Sequence, residues 1–335
     1  MCSSDLFKNH ESGSNGTRSG VFTLFYGLPG SYFVDFKNQN ISSVLLCELQ
    51  RYNYDCRLYP SASLRNPPLD KNVFYSIENQ CDPTEGVNAW RRDVNLMNNF
   101  RTYLAERDTS VPFFSFLFFD SLHSMIKPDD YQGPFQPSWN YAKYERLGRN
   151  VDPAEFLNLY KNMVYYLDSL TGILLDDLES RGLLENTIVV ITGDHSQEFD
   201  DNRHGFWGHN GNFSESQFAV PFIYYTPDVQ PSEYEHWTSH YDFIPTVMHD
   251  LFCVKNPVSD YSIGKDLRDT TERDFLLVDS YIGIGMKDKR KNITNVFYDG
   301  TFQITDASLN EDFTSDIDPI LWQKSQTLLN SFVRK

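Results

Sequence analysis

Apolar and polar positions along the chain alternate between helical and strand-like spacing. Ile41–Tyr52 and Trp90–Glu106 repeat apolar residues at helical steps, and each leads into an extended run, Tyr54–Tyr59 and residues 112–119. The best-marked helix opens at Asp152-Pro153-Ala154-Glu155, which reads as an N-cap, a proline at the first helical position and a capping-box acid. Phe156, Tyr160, Met163, Leu167, Leu170, Leu174 and Leu178 then recur at steps of three and four, and Gly182 ends the helix. Thr187–Thr192 follows with no polar alternation, the pattern of a strand buried on both faces. A strand at Ala219–Tyr225, a helix at Tyr241–Phe252 and a strand at Phe275–Asp279 come next. Asn295–Thr305 reads as a hairpin with a type I′ turn at Asp299-Gly300, and Leu321–Val333 as a closing helix. This order predicts an α/β fold: a mainly parallel, doubly wound sheet flanked by helices, with a small C-terminal antiparallel hairpin.

Composition adds a core and a charge. Of 335 residues, 40% are hydrophobic, including 26 Phe and 20 Tyr, which excludes wholesale disorder. The net charge of −17 repels phosphate backbones and argues against nucleic acid as a partner. The longest strongly apolar run, Val111–Phe119, is far shorter than the roughly 20 residues of a spanning helix and reads as a central strand. Five cysteines are too few for a disulfide scaffold. Met1–Leu6 has neither a basic nor an apolar leader region and matches the translation of a common sequencing adapter. The expected organisation is therefore an adapter-derived 1–6, an N-terminally truncated α/β domain over 7–270, and a C-terminal subdomain of the same unit over 271–335.

Three polar groups fall where open α/β sheets bind ligands, at the carboxyl ends of strands. Asp194 and His195 follow the strand at 187–192 and form either a half-site for a divalent cation or a turn Asp with a hydrogen-bonded His. His123 follows the strand at 112–119 and either meets an anionic substrate or is a satisfied loop histidine. His204 and His209 lie in a glycine- and aromatic-rich loop, with a substrate or second-metal role set against simple loop packing. The Gly/Ser-rich turn at Glu11–Gly20 carries a hydroxyl, Thr17, beside Arg18. That pair suits a nucleophile and an anion holder at a helix N-terminus, or a flexible terminus of no chemical meaning.

Taken together, Ser12–Tyr32 (SGSNGTRSGVFTLFYGLPGSY), Phe113–His123, Ile191–Phe213 (ITGDHSQEFDDNRHGFWGHNGNF) and Thr238–Leu267 resemble the sulfatase and alkaline-phosphatase superfamily. Within it they look most like the inner-membrane sulfatase-like proteins of the PbgA/YejM type, chiefly through LFYGLPGSY and NPVSDYSIGKDL. The resemblance implies Asp194, His195 and Thr17 as metal ligands, and Thr17 and His209 as catalytic. It also implies Arg18, His123 and His204 as substrate-binding, with His240 and Asp242 structural. A divalent cation (Mn, Zn or Mg) is implied, along with a metal-dependent hydrolase or transferase of phosphate or sulfate esters. Phospholipid or lipopolysaccharide head groups are the implied substrates, and an inner-membrane regulatory protein a further partner. The implied location is the periplasmic face of the inner membrane of a Gram-negative bacterium, with the anchor outside this fragment. The other reading is a catalytically silent lipid-sensing or scaffold domain.

Thr17 is followed by Arg18-Ser19-Gly20 with no proline, so formylglycine chemistry is not expected. The family places an acidic ligand on a strand before the nucleophile; no such strand is predicted before Thr17, and Glu11 stands too close to it. A periplasmic location would expose Cys47, Cys56, Cys81 and Cys253 to oxidation, with a Cys56–Cys81 bridge one pairing. Asn40, Asn212 and Asn292 sit in glycosylation sequons, and Lys287–Lys291 reads as a solvated basic loop or a lipid head-group contact.

Overall fold

In the computed structural model, which describes residues 4–227 and 229–332, two short strands precede the nucleophile turn: β1 (Asp5–Phe7) and β2 (His10–Glu11). Both are too short to carry a periodic signal, which is why the sequence pattern predicts none there. Met1–Ser3 lie outside the described residues; Asp5 and Leu6 of the same hexapeptide are strand residues of β1. Helices α1 (Thr17–Tyr26), α2 (Phe33–Gln39) and α3 (Val44–Arg51) follow. Next come β3 (Asp55–Pro60), α4 (Ala89–Glu106), β4 (Phe113–Phe118), α5 (Ser121–Ser124) and α6 (Ala154–Ser180). The Asp152 carboxylate accepts the Ala154 N–H at the start of α6 (3.0 Å), and Gly182 closes its end at φ 68°.

The chain then runs through β5 (Val189–Thr192), β6 (Glu198–Phe199), β7 (Trp207–Gly208), α7 (Glu215–Phe218) and β8 (Phe222–Tyr225). β9 (Glu233–Tyr234), β10 (Thr238–Ser239) and α8 (Phe243–Phe252) follow. The C-terminal part holds β11 (Phe275–Ser280), β12 (Gly283–Asp288), β13 (Ile293–Phe297), β14 (Phe302–Thr305) and α9 (Pro319–Leu329). Val333, the last residue of the expected closing helix, lies outside the described residues. No helix among them is long and apolar enough to cross a membrane.

The chain divides into two compact units, one of residues 1–45 and 189–335, the other of residues 46–188. In the first, a four-stranded sheet has the order β5-β8-β1-β9. β8 runs antiparallel to both β1 and β5, and β9 runs parallel to β1, so β5, β1 and β9 share one direction and β8 opposes them. A two-stranded parallel pair joins β2 to β10. The C-terminal antiparallel sheet is larger than a hairpin: β11, β12, β13 and β14 pair in sequence. Its last turn is not type I′, because Gly300 alone has a positive φ (87°) and Asp299 does not. Instead Gly300 closes the turn on Phe297 and Thr301 bonds Phe297, a type I turn with a glycine bulge.

In the second unit β3 and β4 pair in parallel, and Leu96, Met97, Phe100 and Leu104 of α4 are buried. Cys56 and Cys81, both in this unit, are buried free thiols rather than a bridge; burial pushes them up to about 11 and about 12.

Candidate active site

The site is built in the first unit where α1 begins. Gly16 caps the helix with extended backbone, and Thr17 is its first residue. The Thr17 hydroxyl lies 3.3 Å from His195 Nε2. His195 Nδ1 stands 2.9 Å from the Ser196 carbonyl, so Nδ1 carries the proton and donates it, leaving the Nε2 lone pair directed at Thr17.

Asp194 precedes His195 on the loop after β5. Its Oδ2 is buried without a hydrogen-bond partner and lies 3.7 Å from His195 Nε2. Atoms that share one cation at about 2.1 Å stand roughly 3–4 Å apart, and Thr17 Oγ1 and Asp194 Oδ2 each stand at such a distance from His195 Nε2, at 3.3 and 3.7 Å. A buried, unpartnered carboxylate oxygen is itself the mark of a site made for a cation. Among the described residues no group of three or more His, Cys, Asp or Glu side chains could hold a metal; Asp194 and His195 are a pair beside the Thr17 hydroxyl.

The loop is pinned from below. Ser12 Oγ donates to the Asp194 carbonyl at 2.6 Å. A Cβ on Gly20 would stand 2.2 Å from that same carbonyl oxygen, so only glycine lets α1 approach the loop this closely. His209 joins the group: its ring centroid lies 4.3 Å from that of His195, and its Nδ1 is 3.0 Å from Gln197 Oε1.

Arg18 projects from the first turn of α1 and lies over two rings. Its guanidinium lies 4.6 Å from the Tyr281 centroid and 5.6 Å from that of Phe33. Among the described residues it makes no hydrogen bond or ion pair, and its Nε is buried without a partner. A cation so placed beside Thr17 suits an anionic ester.

Nearby, burial pushes the Asp279 carboxyl up to about 6, against the opposing pull of Ser19, Arg18 and Tyr298. The folded state therefore holds this proton more tightly than the unfolded chain. Stability is lost as pH rises from the unfolded value near 3.8 through about 6. Asp279→Asn is expected to remove that loss, worth up to about 3 kcal/mol at pH 7, in denaturant unfolding compared at pH 4 and pH 7.

Two other predicted site residues have partners of their own. His204 is exposed, with Nε2 3.0 Å from the Ser308 carbonyl, and the structure does not bring it to Thr17. His123 belongs to the second unit, with its side chain 67% exposed and Nδ1 3.9 Å from Asp120 Oδ1. Its loop is held by two residues the sequence reading missed. Asp93, fully buried on α4, accepts the Asp120 and Ser121 N–H groups at 3.0 Å each, and Arg92 pairs with Asp120 at 2.9 Å. A charged residue on the apolar face of α4 was the available signal.

His240 is fully buried, and burial pushes it down to about 4. Asp242 accepts the Ser239 N–H at 2.8 Å and is clamped by Arg273 at 2.7 and 2.8 Å. The Asn212 sequon is committed inward: its amide donates to Glu198 (3.0 Å) and accepts from Gln217 (2.6 Å) and the Ser214 N–H (2.8 Å).

A family model described as Sulfatase matches residues 5–251. An uncharacterized protein of Haemophilus influenzae is 25% identical over 279 residues, covering 83% of this chain and 41% of that protein. "Inner membrane protein YejM" of Salmonella typhimurium is 21% identical over 267 residues, covering 78% of this chain and 39% of that one. The chain thus spans about two-fifths of the length of these relatives. Among solved structures, the phosphonate monoester hydrolase of Agrobacterium radiobacter superposes with a TM-score of 0.67 at 16% identity, covering 98% of this chain and 88% of that one. A protein in the alkaline phosphatase superfamily from Vibrio parahaemolyticus gives 0.67 at 17% identity, with coverage of 100% and 81%. These two structures establish likeness of fold.

Proposed function

Because the chain belongs to the sulfatase family, whose members generally use divalent metal ions, we propose that it is a metal-dependent hydrolase or transferase of phosphate or sulfate esters with Thr17 as nucleophile. The observation that carries the reading is the convergence of Thr17 Oγ1, His195 Nε2 and the unpartnered Asp194 Oδ2 beside an unpaired Arg18. Family and fold support ester hydrolysis or transfer in the broad sense. Lipid head groups, of phospholipid or lipopolysaccharide, are the proposed substrates. The proposed setting is the periplasmic face of an inner membrane, following the likeness to a relative named as an inner membrane protein. A regulatory inner-membrane partner is proposed on the same ground.

Asp194, His195 and Thr17 would hold the cation. Mn, Zn or Mg bound there supplies positive charge that lowers the pKa of the Thr17 hydroxyl and offsets charge on the ester. Arg18 binds a non-bridging oxygen, and its ring sandwich fixes the guanidinium without neutralising it. Thr17 gives up its hydroxyl proton to solvent, and Oγ1 forms the new bond to phosphorus or sulfur while the ester bond to the leaving alcohol breaks. His209, oriented by Gln197, supplies the proton that the departing oxygen takes. Water or a second alcohol then displaces Thr17 and returns a proton to the site.

The test is metal content by mass spectrometry, with hydrolysis of phosphomonoesters, phosphodiesters and sulfate esters in Mn, Zn or Mg. The protein is expressed at its natural genomic length. Retained metal and metal-dependent turnover are expected. An empty site with no turnover overturns the enzyme reading in favour of the sensing domain.

A further inference from the structure

We propose that the outer edge of β14 is a docking site for an extended, basic segment of a partner protein, which adds to the C-terminal sheet as a further strand and lays apolar side chains in the groove beside it.

β14 ends the sheet order β11-β12-β13-β14 and pairs on one side with β13. Its other side is met by the chain as it returns: the Asp312 N–H donates to the Ile304 carbonyl at 2.9 Å, and the Asp306 N–H to the Asn310 carbonyl at 3.0 Å. Ile304 therefore points its backbone groups away from β13. Strand alternation points those of Phe302 the same way. Among the described residues the returning segment gives neither Phe302 nor the Ile304 N–H a backbone partner. Edge strands are commonly blunted by a charge or a proline. β14 reads Phe-Gln-Ile-Thr and carries neither.

Beside this edge runs a groove of about 570 Å³, walled by Phe302, Ile304, Phe313 and Ile317, with Glu311 and Asp316 among them. Phe302 is 63% and Phe313 87% exposed, so both rings of one groove stand in water. Charge selects what covers them. Residues 292–323 hold six carboxylates, Asp299, Asp306, Glu311, Asp312, Asp316 and Asp318, and no Lys, Arg or His. Among the described residues none of the six is in an ion pair. Asp299, Asp306, Asp312 and Asp318 accept from uncharged neighbours instead, which leaves their charge in place. A second copy of this surface, or an anionic lipid surface, would meet like charge. A strand whose lysines or arginines alternate with apolar residues offers an apolar face to the rings and cations to the carboxylates around them.

The test titrates the full-length protein into a fluorescein-labelled KVKFKVK peptide, read by anisotropy. EVEFEVE, and KVKFKVK N-methylated at each peptide bond, are the comparison peptides. Phe313→Ser and Asp316→Lys change exposed residues of the groove. Asp129→Lys makes the same charge change at an exposed position of the second unit, and melting temperature is the fold control. KVKFKVK is expected to bind, and EVEFEVE and the N-methylated peptide are not. Phe313→Ser and Asp316→Lys are each expected to weaken binding about 5- to 10-fold, and Asp129→Lys less than about 2-fold. No binding of KVKFKVK, equal binding of the N-methylated peptide, or equal losses in Asp316→Lys and Asp129→Lys overturns the proposal. A dimer in sedimentation that Phe313→Ser dissolves gives the edge to a second copy and overturns it as well.

Discussion

Thr17→Ala is expected to lower metal-dependent ester turnover by roughly four orders of magnitude or more while leaving the melting temperature nearly unchanged. The two halves of this outcome have separate causes. Thr17 opens α1 after an extended Gly16 and provides no side-chain cap, so the helix loses little when the hydroxyl goes. On the proposed mechanism the reaction loses the atom that forms the covalent bond, and among the described residues no other hydroxyl bonds His195 Nε2. Thr17→Ser is expected to retain measurable turnover, since it keeps the oxygen. Asp194→Ala should fall as far as Thr17→Ala and lose more bound metal, because it removes the charged donor where Thr17→Ala removes a neutral one. Initial rates with metal content measured on the same samples separate the three. Equal turnover in wild type and Thr17→Ala would remove Thr17 from the mechanism.

Much of this site was legible before the structure. An apolar run that ends in Asp194-His195 announces a strand with polar groups at its carboxyl end, and the bounds of α6 are marked by Asp152 and Gly182. Such signals are local: a few adjacent residues carry them. What was not legible depends on residues far apart in the chain. Arg18 lies over the Tyr281 ring, and the Asn210 amide packs where a side chain on Gly16 would collide with it. The basic stretch Lys287–Lys291 misled for the same reason. As a run of charge it reads as a solvated loop, yet Lys287 is 1% exposed and both lysines turn inward. Lys287 sits in β12, where successive side chains point to opposite faces, so one member of a charge run can face the interior. The acid that draws it in, Glu11, is 276 residues away.

That buried pair carries the largest expected stability effect. Glu11 accepts from Lys287 at 2.9 Å, Lys291 at 2.6 Å and Trp237 Nε1 at 3.0 Å, and its side chain is 1% exposed. Burial alone would raise its carboxyl, but the charges and hydrogen bonds of Lys287 and Lys291 outweigh this and hold it below the usual carboxylate range. Lys287→Ala leaves a buried carboxylate with one lysine and is expected to cost about 3 kcal/mol, the scale for breaking a buried pair from one side. Glu11→Leu combined with Lys287→Met should cost less than the sum of the single changes, since no unpaired charge remains.

The pH dependence fixes the sign. A carboxyl with a lowered folded pKa contributes stability above its unfolded value, near 4.5, and loses that contribution as pH falls through the folded value. The gap between wild type and Lys287→Ala, read by urea unfolding, should therefore be full at pH 7 and shrink in acid below about pH 4. A gap that stays constant to acid pH would mean the loss comes from packing of the lysine stem. The consequence reaches the site, because Glu11 ends β2 and the next residue, Ser12, holds the Asp194 carbonyl. Lys287→Ala is thus expected to weaken metal retention as well as stability, although Lys287 is no ligand.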